Sequence, residues 1–325
     1  MSTITEPETN DSGSPLDTEV PEKARKHALG DRIFSGLSFT AGITIMVALA
    51  GVFVFLFIEG YPGLSVDERF YRPKTDFWSY VGPLVFGTTY AAIIALVLAV
   101  PFAIGIALFI SHYAPRRLAG PLGYVIDLLA AIPSVVFGLW GGRALADQMK
   151  PFLIWLEDTL GFLPFFGGPA SVTGRTLLTA GVVLAIMILP IITAISREIF
   201  LQTPRLHEEA ALALGATRWE MIRMAVFPYA RSGMVSATML GLGRALGETM
   251  AVAMVLSASP IVTLNIISSE NPATIASNIA SNYKEASPDR QAVLIATGLI
   301  LFAFTFAVNF LARYVAGRSE RRMAR

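Results

Sequence analysis

The chain has 325 residues, of which 54% are hydrophobic and 15% charged, and a net charge of +1. Soluble domains carry about 25% charged residues, so this composition, with a mean hydropathy of +0.59, is that of a membrane protein, and the near-neutral charge excludes bulk nucleic-acid binding. The absence of cysteine excludes disulfides and cysteine-based zinc or redox sites, and His27, His112 and His207 are too scattered in sequence to be metal ligands.

Residues 1–22 are acidic and polar, with no apolar run before Ile33, unlike a signal peptide. This end, residues 1–28, reads as a disordered tail. A bilayer core of about 30 Å needs about 20 apolar residues in a helix, and six segments qualify within the domain 29–315. The first is 33–58. The second lies within the uncharged run 77–111, best placed at 83–110, and Pro101 kinks it. The third, 121–141, is interrupted by Asp127 and Pro133. Asp127 reads as an interfacial carboxylate or a partner for Arg116 or Arg117. Residues 145–163 are apolar with a few charges and read as a helix lying at the outer leaflet.

The fourth segment is 176–195. A long polar loop, 197–233, follows it and leads to the fifth segment, 234–256. Residues 261–290, rich in Ser, Asn and Ala, are expected to form a short re-entrant or surface helix. The sixth segment is 292–311, and a basic tail, 316–325, closes the chain. With the N-terminus in the cytosol, the inner segments hold 16 Lys and Arg and the outer loops 8. That bias predicts cytoplasmic termini and a cytoplasmic 197–233 loop.

The fifth segment carries two charges, Arg244 and Glu248, in the run Gly241-Leu-Gly-Arg-Ala-Leu-Gly-Glu-Thr249. A charge at mid-bilayer costs about 2.5 kcal/mol or more, so both must face a cavity or a partner. On one continuous helix they share a face at i,i+4 and can pair. One reading is a self-neutralising pair that pins helix packing, helped by glycines that let helices approach. The other has Arg244 lining an anion path, since guanidinium presents a planar fork of donors to oxyanions and stays charged. Glu248 would then keep the site from trapping its anion. All five lysines follow residues other than Gly, so there is no phosphate-cradling Walker loop. No nucleophile–base or metal spacing appears either, which predicts a chain with no catalytic residues and no metal.

Two strings carry a family resemblance. In the 197–233 loop stand Glu209-Ala210-Ala211, then Gly215 after three residues, then Ala225-Val226-Phe227-Pro228 after nine. This resembles the EAA loop of ABC-importer permeases, with Ala225 and Phe227 in place of the usual Ile and Leu. Arg244-Ala-Leu-Gly-Glu-Thr249-Met-Ala-Val252 is similar to the signature of phosphate ABC-transporter permeases, the PstC and PstA pair. Its first five residues also occur in sulfate and molybdate permeases. Glu59-Gly-Tyr-Pro-Gly-Leu64, Gly82-Pro-Leu-Val-Phe-Gly-Thr88, Ser111-His-Tyr-Ala-Pro-Arg-Arg117 and Leu128-Leu-Ala-Ala-Ile-Pro-Ser-Val-Val-Phe-Gly138 resemble the PstC type.

The resemblance implies an all-α polytopic fold of six transmembrane helices, the type I ABC importer (MetI-like) permease. It implies a subunit of an ATP-driven phosphate importer in the bacterial plasma (inner) membrane. A PstA-like subunit would complete the pore, an ATPase dimer would dock inside, and a phosphate-binding protein would dock outside. ATP and Mg would be bound by the ATPase, with no cofactor on this chain. Arg244, Glu248 and Thr249 are the implied substrate pathway. Glu209, Ala210, Ala211, Gly215 and Pro228 are the implied ATPase contact, with Gly215 allowing the turn between two short helices. The alternatives are the same machine for sulfate, molybdate or tungstate, and an ATP-independent anion channel.

Overall fold

A computed structural model describes residues 22–323. Residues 1–21, which hold most of the expected disordered tail, and 324–325 at the end of the basic tail lie outside the described residues. Met1–Val52 and Phe53–Arg325 cluster as separate units, and the packing below is that within the second. The regular structure of the described residues is helical, with one isolated bridge between Ala258 and Asn271 and no strand, and residues 161–176 and 256–274 form non-helical loops.

The first helix, α1, is Glu22–Gly60, so residues 22–28 are its opening turns rather than tail. Helix α2 is Phe77–Leu108, and a π turn, Phe109–Tyr113, extends it. Its start is fixed by a capping box, in which Asp76 accepts from Ser79 N–H at 3.0 Å. Pro83 and Pro101 lie inside α2 without ending it. Helix α6 is Leu177–Leu201 and α12 is Pro288–Met323. These three and α1 are the four helices long and apolar enough to cross a membrane, so the chain is a multi-pass membrane protein.

The core is built on small residues. Ala91, Ala95, Ala99, Ala103 and Ala107 recur at every fourth position of α2, and each is at most 1% exposed. That stripe lets α6 approach closely, in the manner of small-residue helix interfaces in membranes. The approach is reciprocal at Gly181 of α6, where an added Cβ would fall 2.4 Å from the Ile94 side chain. Leu177, Leu184, Ile188 and Ile192 of α6 are fully buried in the same cluster. Just after α1, Gly63 sits so close to α12 that a Cβ would meet the Ala292 carbonyl at 2.3 Å.

Two expected spans are not single helices. The third breaks into α3, Arg116–Ala130, and α4, Ser134–Trp140, bent by 85° across Ala131–Pro133. Pro133 has no N–H to give α3 and pushes its predecessor out of helical geometry, so one helix ends and the next starts there. A π turn, Gly141–Leu145, joins α4 to α5, Ala146–Leu160. The expected surface helix 145–163 therefore continues the third segment. It buries Leu153 and Leu156 in the core while Phe152 and Trp155 stay exposed. Asp127 is exposed and pairs with neither Arg116 nor Arg117 among the described residues.

The expected fifth span is also divided. Helix α9, Phe227–Gly247, ends where Glu248 turns extended, with ψ 125°, and α10, Met250–Val255, restarts after Thr249. Among the described residues, α1, α2, α6 and α12 pass as spans by length and composition, and the bent third segment brings the number to five if it counts as one span; the divided fifth segment is not among them. Between α10 and α12, residues 275–282 form a short helix, α11, Ile275–Asn282, capped by Thr274 and Ser277. Its first turn is buried, with Ile275 N–H donating to Thr88 Oγ1 of α2 at 3.0 Å.

Candidate functional site

The break between α9 and α10 decides how Arg244 and Glu248 relate. The i,i+4 pairing read from the sequence needs a helix running through both residues. The extended backbone at Glu248 swings its side chain off the face that Arg244 occupies. Among the described residues the two form no ion pair. Glu248, only 8% exposed, instead accepts from Ala251 N–H at 3.2 Å and so caps the start of α10. Thr249 donates its hydroxyl to the Gly247 carbonyl at 3.0 Å, inside the same break.

Arg244 is half-buried, and its Nε is buried with no hydrogen-bond partner among the described residues. A buried donor left unsatisfied costs about 1–3 kcal/mol, and a guanidinium carries a full charge as well. Gly241, one turn earlier, packs on α6, where a Cβ would come 2.7 Å from Ile192. Gly243 and Gly247 face open space, with nothing within 4 Å of a Cβ. Of the three glycines, only Gly241 is needed for helix approach. The structure therefore gathers Arg244, Glu248 and Thr249 around one helix break without joining the two charges.

The second constellation is the loop after α6. It forms α7, Arg205–Ala213, and α8, Arg218–Met221, with a turn between them at Gly215, where φ is +85°. Only glycine takes that backbone readily. A capping box starts α8: Glu220 N–H donates to Thr217 Oγ1 at 3.3 Å, and Thr217 N–H donates to Glu220 Oε2 at 2.8 Å. The Thr217 N–H, and after it the Thr217 hydroxyl, both donate to the Glu220 carboxylate and hold it below the usual carboxylate range. A π turn, Ile222–Val226, runs straight into α9, so α8 and α9 form one continuous rod.

This loop is anchored from beneath and open above. Ile222, Val226 and Ala230 are fully buried against Phe200 of α6 and Ala107 of α2. Above, Ala210, Ala211 and Pro228 line a groove of about 510 Å³ with His207, Leu214 and Tyr229. Leu206, Leu214, Trp219 and Met224 are exposed around it, an apolar surface of the kind that marks a protein contact. Glu209 is exposed and does not line the groove, and Gly215 shapes the turn beside it.

Three features were not read from the sequence. Glu208, next to Glu209, faces His112 at 3.5 Å, which ties α7 to the π turn at the C-terminal end of α2. The His112 Nδ1 in turn lies 2.7 Å from Ser111 Oγ. The Glu208–His112 contact has no signature in spacing, because its partners stand 96 positions apart in the chain. The Thr217–Glu220 box does have one, Thr-x-x-Glu before an apolar run. The third is a cluster of cations between α4 and α6, taken up below. Among the described residues no group of three or more His, Asp or Glu is placed to hold a metal.

Comparison with known proteins places this geometry. Residues 99–321 match the family model described as the binding-protein-dependent transport system inner membrane component. The chain is 47% identical over 300 residues to phosphate transport system permease protein PstC 2 of Mycobacterium tuberculosis, covering 89% of this chain and 92% of that one. It is 43% identical to PstC of Mycobacterium leprae over 88% of this chain and 93% of that protein. With PstC of Mesorhizobium japonicum the identity is 38%, over 92% and 93%. Among solved structures, a bacterial ABC transporter for import of the acidic polysaccharide alginate superposes with TM-score 0.51 at 17% identity, over 91% of this chain and 99% of that one. The inward-facing MetNI methionine ABC transporter does so with TM-score 0.50 at 16% identity, over 73% and 93%. At those identities the likeness is one of fold.

Proposed function

The chain belongs to the family of inner-membrane components of binding-protein-dependent transport systems, and from that premise we propose that it is a pore-forming subunit of an ATP-driven importer of inorganic phosphate. The observation that carries the reading is Arg244. It is a half-buried guanidinium in the fifth segment, with an unpartnered Nε and no ion pair to Glu248 among the described residues. A self-neutralising structural pair would have left neither group open. An open guanidinium beside a helix break suits a tetrahedral oxyanion that must bind weakly and leave.

In this mechanism phosphate reaches the break between α9 and α10 and is met by Arg244. Glu248 keeps its carboxylate on Ala251 N–H, so its charge sits near the path without cancelling Arg244, and it shortens the anion's stay. A protonated phosphate oxygen can also donate to Glu248, which fully ionised sulfate cannot do. The groove over Ala210, Ala211 and Pro228 takes an ATPase subunit. Because α8 runs unbroken into α9, movement imposed on the loop is passed to Arg244 along one rod. A PstA-like subunit completes the pore, ATP and Mg are bound by the ATPase, and the binding protein delivers phosphate from outside. The excess of Lys and Arg on one set of segments, 16 against 8, supports a topology with both termini and the 197–233 loop in the bacterial cytosol.

The test is uptake of labelled phosphate into vesicles carrying the reconstituted complex, with excess sulfate and molybdate as competitors. ATP-dependent uptake that ignores both is the expected result. Uptake blocked by either one reassigns the substrate, and uptake without ATP rejects the coupling. The docking surface is tested separately by Leu214→Asp. Leu214 is 87% exposed, so the chain itself tolerates the change. Burying Leu on docking is worth about 1.5–3 kcal/mol, so the variant is expected to lose at least about tenfold in ATPase affinity. Co-purification of an equal amount of ATPase would refute the docking surface.

A further inference from the structure

A second cationic site lies away from Arg244. The π turn after α4, the start of α5 and the loop entering α6 border an open, solvent-facing concavity of about 670 Å³, in which Arg143 and Arg175 are exposed. Arg143, Lys150 and Arg175 line it with Asp147, Thr173 and the backbone of Gly142. Asp147 is occupied by Lys150, Nζ to Oδ1 at 2.7 Å. Arg143 and Arg175 form no ion pair among the described residues. Arg175 Nη2 donates to the Gly142 carbonyl at 3.4 Å, which holds its guanidinium along the cavity edge. Three cations share this space with one carboxylate, and like charges held together repel unless an anion joins them.

The backbone around the cavity is constrained. Gly174, at φ +70°, presses on the Ala146 carbonyl and pins the loop carrying Arg175 to the start of α5. Gly142 is packed on α10, where a Cβ would lie 2.5 Å from the Met254 carbonyl. The cavity thus opens at the far end of α10 from Glu248. Six helical residues separate the two ends, about 9 Å at 1.5 Å per residue.

We propose that Arg143, Arg175 and Lys150 form an oxyanion-capture site at the outer mouth of the pathway, which holds a divalent oxyanion such as phosphate before it passes along α10 to Arg244. The inference rests on the orientation and pathway proposed above. Two guanidinium groups from separate elements converge on a concavity, which fits a small tetrahedral anion with donors on several sides. Nothing in the set distinguishes phosphate from sulfate, so this site attracts by charge and leaves selection to the deeper one.

The experiment is site-resolved modification by the arginine reagent phenylglyoxal. It uses the transporter assembled with its pore partner and ATPase in lipid nanodiscs, without binding protein. At phosphate concentrations near twice the dissociation constant, Arg143 and Arg175 are expected to react about threefold more slowly, read by peptide mass spectrometry. Sulfate protects equally, chloride does not, and exposed Arg72 is unaffected. Arg143→Gln abolishes protection of Arg175, while Arg244→Ala leaves it intact. Unchanged rates with phosphate overturn the proposal. So does equal protection in a separate arm where phosphate-free binding protein is added in place of phosphate, which would make the cluster a protein-docking surface. Failure of the Arg244 reading appears instead in the uptake assay, with protection at Arg143 and Arg175 preserved.

Discussion

Replacing Arg244 with alanine is expected to lower ATP-driven phosphate import by about one to two orders of magnitude. Hydrogen bonds to a charged group are worth about 1.5–3 kcal/mol, and each 1.4 kcal/mol is a factor of ten in rate. The packing cost is small, because Arg244 makes no ion pair among the described residues and its Nε has no partner to lose. Arg244→Lys keeps the charge but loses the planar fork, and falls between wild type and alanine. ATP hydrolysis by the assembled complex should persist in both variants, since neither touches the α7–α8 loop. Import by Arg244→Ala at the wild-type rate would remove Arg244 from the pathway. Glu248→Gln is a useful companion, because the amide oxygen still accepts from Ala251 N–H and preserves the start of α10.

The largest structural effect is expected at Gly174. An alanine Cβ there would sit 1.9 Å from the Ala146 carbonyl, and the backbone is at φ +70°. A left-handed alanine costs about 1–2 kcal/mol, and forcing extra volume against fixed backbone adds about 1–3 kcal/mol. Gly174→Ala is therefore expected to lose about 2–5 kcal/mol in the combined estimate. Gly215→Ala provides the internal control. Its φ is +85°, yet nothing lies within 4 Å of the added Cβ, so only the backbone cost remains. Thermal unfolding of the two purified variants separates the terms. Equal losses would mean that the contact between Gly174 and Ala146 yields freely.

The sequence carried the family, the apolar spans 33–58, 83–110, 176–195 and 292–311, and the Glu209–Pro228 pattern, because each leaves a local signal in hydropathy or spacing. It misled where a helix was assumed to continue. Counting four residues from Arg244 to Glu248 assumes helical backbone throughout, and the extended Glu248 lies in the middle of that count. The bend at Ala131–Pro133 was half legible: Pro133 marked an interruption, but its 85° angle depends on what α4 packs against. Gly138, Gly141 and Gly142 all lie against α10, contacts between segments more than a hundred residues apart. The alanine stripe of α2 was fully visible at every fourth position, but only α6 resting on it gives it meaning. The pairing of Glu208 with His112 and the gathering of Arg143, Lys150 and Arg175 are tertiary facts of the same kind.

The divided third and fifth segments also bear on how this chain enters its membrane. Helices α1, α2, α6 and α12 are long and apolar enough for lipid to accept each alone. Neither α9 nor α10 is, and α9 carries Arg231 and Arg244. A nascent segment like that gains nothing from meeting hydrocarbon first. It needs the face of α6 already in place, against which Gly233 and Gly241 pack on Ile199 and Ile192. Synthesis delivers α2 and α6 before α9, so the chain order matches the order in which docking surfaces are needed. The fifth segment, unlike α12 after it, is received by protein rather than by lipid. Insertion and tertiary folding are then one event for the part of the chain that holds Arg244.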